Sequence, residues 1–340
     1  MPGLDVNRRV EPGTVAQLDR LAQWDLSSVA TIRSSYAAVA AAPTPSDPRV
    51  LRRDAVIAGS DGRPDVPVRW YRPSAAAGAL PGLVWLHGGA FIMGTLDEND
   101  SRLERLVLEL GCAVVSVDWR LAPEHPYPAG LDDAETVWRR ICEDAAAFDL
   151  DADRLALGGA SAGAGLAAGL SLRLRDRGIR QPALQLLIYP MLDDRERTGS
   201  IRAIEHPGHW GLWHLEANRK VWAAYLGSLA GGDVPPTAAP ARAEDLTGLA
   251  PAFFAIGDVD GFLDENLEYA RCLSSAGVPI ELHVYPGVIH GGFGAPPSTP
   301  RTAQLLRDVH GALAACFAPL PAADLAATTS RTLDADQGPD

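Results

Sequence analysis

Three residue types that together perform acyl transfer stand in short glycine-bordered segments: Ser161 in GGASAGAG, Asp258 and Asp260 in GDVDGFLDEN, and His290 in YPGVIHGG. A serine hydroxyl attacks well only when a base takes its proton, and an imidazole serves as that base when a carboxylate fixes its tautomer. Gly159, Ser161 and Gly163 spell G-x-S-x-G, but a chain with 33 glycines produces such a match easily, so the neighbouring elements must carry the reading. A tetrahedral oxyanion also needs N–H donors with no side chain in the way. Gly88, Gly89 and Ala90 in WLHGGAFIMG, with the N–H of Ala162, are the candidates.

These groups act together only if the fold gathers them. Eight β-rich runs occur in order: DAVIA, VPVRWYRP, GLVWLHG, CAVVSVDW, RLALGG, ALQLLIYP, PAFFAIG and IELHVYP. From the third onward they alternate with helical patterns at 101–110, 132–147, 163–178, 264–276 and 300–317. That alternation predicts an α/β fold with a mostly parallel sheet and helices on both faces. Ser161 then falls at the sharp turn between RLALGG and a helix starting at Ala162, where small residues are needed two before and two after it. The free N–H groups of that helix start face developing negative charge. His290 follows IELHVYP at the carboxyl end of the sheet, where open α/β folds hold ligands. His125 in a proline-rich turn, His283 inside a strand and His310 on the last helix have no such placement. Asp260 sits between strand end and helix start and is the first choice of acid, Asp258 the second; Asp264 reads as an N-cap with Glu265 in the first turn.

The remaining segments set the domain organisation. Apolar spacing over 13–42 predicts N-terminal cap helices within 1–50, followed by core segments 51–194 and 236–318. Between the core segments, 195–235 is long for a connection and rich in aromatic residues, which predicts a helical cap insertion. Phe91, Trp210, Trp213 and Trp222 are the expected walls of an apolar pocket for small to medium uncharged acyl groups. The Ala/Thr/Asp-rich stretch 319–340 is expected to be disordered.

Composition narrows the partners. A formal net charge of −13 and a single lysine, Lys220, leave no basic stripe for nucleic acid. The longest uncharged run, 155–172, is mostly Gly and Ala and does not read as a membrane span. The start, MPGLDVNRRVEPG, lacks the apolar core of a signal peptide. Cys112, Cys142, Cys272 and Cys316 are widely spaced with no C-x-x-C, which predicts reduced thiols of a cytoplasmic protein and no disulfide, zinc or redox centre.

In order, HGGAF (87–91), DWRLAPEHPYPA (118–129), GASAGAG (159–165), YPMLDDR (189–195), GDVDGFLDEN (257–266) and YPGVIHGG (285–292) make the chain resemble the hormone-sensitive-lipase-like carboxylesterases, a bacterial branch of the α/β-hydrolase fold. The resemblance runs from about residue 50 to 318. It implies an eight-stranded sheet with a helical cap, Ser161 as nucleophile, Asp260 as orienting acid, His290 as general base, and Gly88, Gly89 and Ala162 as oxyanion donors. It further implies a small-molecule ester substrate, no cofactor or metal, and leaves a homodimer open. Three positions depart from the pattern: Ala90 replaces a third glycine, Trp119 a tyrosine before Arg120, and Gly292 a phenylalanine often found two after the histidine. They bear on substrate choice, since no reacting group is lost.

Other readings account for less. Gly163 to Ala168 imitates a dinucleotide fingerprint, but the strand ends too early and no acidic residue closes a following strand. His206, His209 and His214 have a spacing that suggests zinc, yet read better as surface or packing residues of a cap. A lactone or acetyl-ester hydrolase of specialised metabolism, or a non-catalytic binding protein on the same scaffold, are the alternatives to a general carboxylesterase.

Overall fold

A computed structural model of the chain describes residues 10–11, 25–38, 44–60, 62–203, 215–291 and 299–319. Each β-rich run forms a strand: β1 (Val50–Ile57), β2 (Val66–Pro73), β3 (Leu80–Leu86), β4 (Ala113–Val117), β5 (Leu150–Ala160), β6 (Leu184–Ile188), β7 (Ala252–Val259) and β8 (Ile280–Ile289). The described helices are α1 (Val29–Ala37), α2 (Asp100–Leu110), α3 (Ala129–Glu143), α4 (Ala162–Asp176), α5 (Gly199–Ala203), α6 (Leu215–Leu226), α7 (Leu263–Ser275) and α8 (Pro300–Phe317).

The strands form one sheet in the order β1-β2-β4-β3-β5-β6-β7-β8. β1 and β2 pair antiparallel, as do β2 and β4, and the rest is parallel. LPGLVWL in β3 and AVVSV in β4 bury every residue except Leu80, as strands covered on both faces must. β1 is an edge strand, and most of VLRRDAVI is exposed. The chain steps outward from β3 to β4, then reverses across β3 to β5 and continues outward to β8. With right-handed crossovers, that reversal puts α2 on one face and α3, α4 and α7 on the other. α8 packs back against α2, and α3 against α4. The carboxyl ends of β3 and β5 flank the reversal, where the diverging connections leave a crevice.

Some expected boundaries move. From the N-terminal helical pattern the structure describes α1, held by a capping box between Ser28 and Thr31. Asp264 does not cap α7. The turn before the helix is organised by Asp260, whose Oδ1 accepts from the Phe262 N–H (2.9 Å) and whose carbonyl accepts from the Leu263 N–H (3.1 Å), so the helix starts one residue earlier. The Asp264 carboxylate instead accepts from the Ser200 N–H (2.8 Å) at the start of α5. All four cysteines are free thiols; only Cys112 is fully buried, and burial pushes it up to about 12. Of the expected disordered tail, all but Pro319 lies outside the described residues.

Candidate active site

Strand register brings the predicted residues together before any side chain is considered. Leu86 of β3 pairs with Gly159 of β5, so Gly88, two residues on, comes beside Ser161. A Cβ on Gly88 would lie 3.5 Å from Ser161 Cβ. Val259 of β7 pairs with Ile289 of β8 across a register shift after Gly257, which makes Asp260 and His290 neighbours at the strand ends. All four loops open at the same carboxyl edge.

Ser161 occupies a strained turn, with φ 55° and ψ −122°, between β5 and α4. Non-glycine residues rarely take such a conformation, so the surroundings must enforce it. The Ser161 N–H donates to the Ile188 carbonyl (2.9 Å), and its own carbonyl accepts from the N–H groups of Gly165 (3.0 Å) and Met191 (3.2 Å). Thus pinned, Ser161 turns Oγ toward His290 Nε2 at 2.9 Å. His290 Nδ1 stands 2.8 Å from Asp260 Oδ2. The Asp260 side chain is fully buried while that of His290 is 15% exposed, so the acid is shielded and the base meets the cleft. Tyr189 and Phe262 present ring contacts on the imidazole, edge to face, at centroid distances of 4.8 and 5.0 Å. Asp258, the second candidate acid, accepts from the Gly287 N–H (2.6 Å) on β8 instead.

The glycine strap after β3 is shaped by two carbonyl anchors. His87 Nδ1 lies 2.7 Å from the Gly88 carbonyl, and the Gly89 carbonyl accepts from the N–H groups of Ile92 and Met93 (3.0 Å each). Because a peptide unit is planar and trans, tying a carbonyl one way turns the next N–H the other way. The N–H groups of Gly89 and Ala90 are therefore both directed away from these anchors. Ala90 sits at φ 54°, where glycine is favoured, so the substitution retains the turn at the expense of backbone strain. His87 is wholly buried against Trp119 (ring centroids 4.8 Å), and burial lowers it to about 4.

Residues 83–294 match the family described as the alpha/beta hydrolase fold. The chain belongs to that family. Among relatives of this α/β hydrolase, carboxylesterase NlhH of Mycobacterium tuberculosis is 37% identical over 71% of this chain and 75% of its own. The ethyl acetate hydrolase of Pseudomonas putida is 35% identical over 69% and 78%. A solved bacterial heroin esterase superposes with a TM-score of 0.85 at 35% identity, covering 92% of this chain and 99% of that one. The resemblance to hormone-sensitive-lipase-like carboxylesterases read from the motifs agrees with these findings.

In this α/β hydrolase, Phe91 and Trp222 are almost wholly buried. Phe91 stacks on Tyr225 (3.9 Å, 11°) and tilts against Trp222 (5.3 Å), joining the glycine strap to α6. Trp210, Trp213 and Gly292, with His206, His209 and His214, lie outside the described residues. Among the described residues no group of three or more His, Cys, Asp or Glu is arranged to hold a metal, and no helix is long and apolar enough to cross a membrane. A carboxyl that sequence reasoning left as a helix-start charge is buried beside the site: Glu265 Oε1 accepts from the Leu192 N–H (2.7 Å). Asn266 Nδ2 donates to the Pro190 and Phe262 carbonyls (2.8 Å each), tying the acid loop to the segment after β6 whose Met191 N–H bonds the Ser161 carbonyl.

Proposed function

We propose that this α/β hydrolase is a serine carboxylesterase acting on small to medium uncharged carboxylic esters through an acyl-enzyme. The observation that carries the reading is the unbroken hydrogen-bonded line from Ser161 Oγ through His290 to the buried Asp260. His290 Nε2 takes the Ser161 proton as Oγ attacks the ester carbonyl, and the same nitrogen then protonates the leaving alcohol. A water deprotonated by His290 attacks the acyl-enzyme and releases the acid. Asp260 keeps the Nδ1 proton in place and stabilises the imidazolium formed at each step. The N–H groups of Gly88, Gly89 and Ala162 are the proposed oxyanion donors, and the turned Ala90 N–H is a further one.

The domain reading is that helices of the N-terminal segment and of 195–235 form a cap over the carboxyl edge. Its support is Lys220 of α6, whose Nζ donates to the Leu26 carbonyl (2.8 Å), bridging the two segments. A bacterial, cytoplasmic setting is supported by the bacterial relatives and by the free thiols. The homodimer rests on the family resemblance alone.

Hydrolysis of p-nitrophenyl esters of increasing acyl length by wild type and Ser161→Ala tests the reading. Turnover of short chains that falls by about 10⁶ in the variant is expected. Wild-type protein that binds esters and turns none over would instead indicate a non-catalytic binder.

A further inference from the structure

The guanidinium of Arg33, on α1, reaches the loops behind the glycine strap. Its Nε donates to the Ile92 carbonyl and its Nη2 to the Ala122 carbonyl, both at 2.6 Å. The two terminal nitrogens form a bidentate pair with Glu124 (2.7 Å each), which aims the fork. Arg33 in turn holds the Glu124 carboxyl down at about 2, so the pair stays charged through the working range.

The Ile92 carbonyl belongs to the turn that shapes the oxyanion donors, and Ala122 to the loop after β4 that is hydrogen-bonded to that turn. The Ile92 N–H closes onto the Gly89 carbonyl (3.0 Å) and thereby sets the plane of the Gly89–Ala90 peptide. The Ala122 N–H donates to the Phe91 carbonyl (2.9 Å). Arg33 thus bonds to the far end of the turn whose first residues carry the Gly89 and Ala90 N–H groups. Ala90 and Phe91 both sit at positive φ, 54° and 62°, so the turn is strained and needs outside support. Ile32, next to Arg33, is fully buried and anchors α1 at this point.

We propose that Arg33 is a positioning residue for the oxyanion hole, through which the N-terminal helix holds the Gly89–Phe91 turn in its reactive shape. The proposal rests on the esterase reading above. Lysine cannot replace it in full, since an ammonium cannot serve two carbonyls and a carboxylate with one planar fork.

The test is steady-state hydrolysis of p-nitrophenyl acetate by wild type, Ser161→Ala, Arg33→Ala and Arg33→Lys, with circular dichroism and thermal melts alongside. Ethylguanidinium is added to Arg33→Ala. A kcat about 10- to 100-fold lower is expected, less than the loss of a whole oxyanion donor, with KM little changed and activity partly restored by ethylguanidinium. Arg33→Lys should fall between and carries the test if Arg33→Ala does not fold. Wild-type kcat in the folded variants, or a loss that ethylguanidinium does not relieve, overturns the role of Arg33. If Ser161→Ala retains turnover, it is the site reading that fails instead.

Discussion

A Cβ on Gly159 would come within 2.5 Å of the Gly163 carbonyl carbon, so the strand and helix flanking Ser161 meet backbone to backbone. A Cβ on Gly163 would in turn overlap the carbonyl oxygens of Leu86 and His87 at the end of β3. The two glycines set the distance between nucleophile and glycine strap. Gly163→Ala should therefore destabilise by about 1–3 kcal/mol through overpacking. Displacing Ser161 from the strap by a fraction of an ångström should also lower kcat by as much as about 10²-fold. Urea unfolding and ester kinetics check both, and an alanine variant with wild-type midpoint and rate refutes the close-contact account.

Asp260 and Asp258 are separable by a single substitution each. Asp260→Asn keeps an oxygen for the Phe262 N–H, but its amide would donate to His290 Nδ1 and force the proton onto Nε2, where the base must be free. A fall in kcat of about 10⁴ is expected, by the logic of serine triads generally. Asp258→Asn retains an acceptor for the Gly287 N–H and should change kcat only a few-fold. The larger loss in Asp258→Asn would reassign the acid.

Which parts of this were readable from residues follows from what a sequence encodes. The eight strands, the turn at Ser161 and the placement of His290 rest on local signals: apolar runs, glycine spacing and the switch from strand to helix patterning. Loop position alone favours Asp260 over Asp258, but the register shift after Gly257 that pairs Val259 with Ile289, and so sets Asp260 beside His290, is encoded by no local pattern. Glu265 does lie in the first turn of α7, but its burial is illegible for the same reason. Helix-start spacing suits an acidic residue there, but only the tertiary path of 190–193 brings the Leu192 N–H onto it and removes it from water. Phe91 and Trp222 show a further limit, because aromatic content near a cleft does not say whether rings line the opening or stack on each other.

The burial of Glu265 has a measurable consequence for stability. Burial raises its pKa well above 4.5, and the nearby Asp193 and Asp260 charges push the same way against the Leu192 hydrogen bond. Above about pH 4.5 the unfolded chain releases this proton while the folded chain keeps it, so stability is lost as pH rises, by up to about 1.4 kcal/mol per unit. Glu265→Gln keeps an oxygen for the Leu192 N–H and removes the titration. Its unfolding free energy should fall less than that of wild type between pH 5 and 7, and parallel curves for the two proteins would show that Glu265 is ionised in the fold.

His87 should act with the opposite sign. Burial depresses it to about 4, against the weaker pull of the Gly88 carbonyl, so the folded protein refuses a proton that the unfolded chain accepts near 6.5. Stability from this group is complete above about pH 6.5 and declines as pH falls toward 4, again by up to about 1.4 kcal/mol per unit. Asparagine carries an N–H donor near the position of Nδ1 and does not titrate, whereas leucine has no donor for the Gly88 carbonyl. His87→Asn should therefore flatten the acid side of the stability curve and retain more kcat than His87→Leu, in which the Gly88–Gly89 peptide loses its anchor. If both variants show equal kcat, the His87 contact does not orient that peptide; if His87→Asn keeps the wild-type acid slope, the slope belongs to another group.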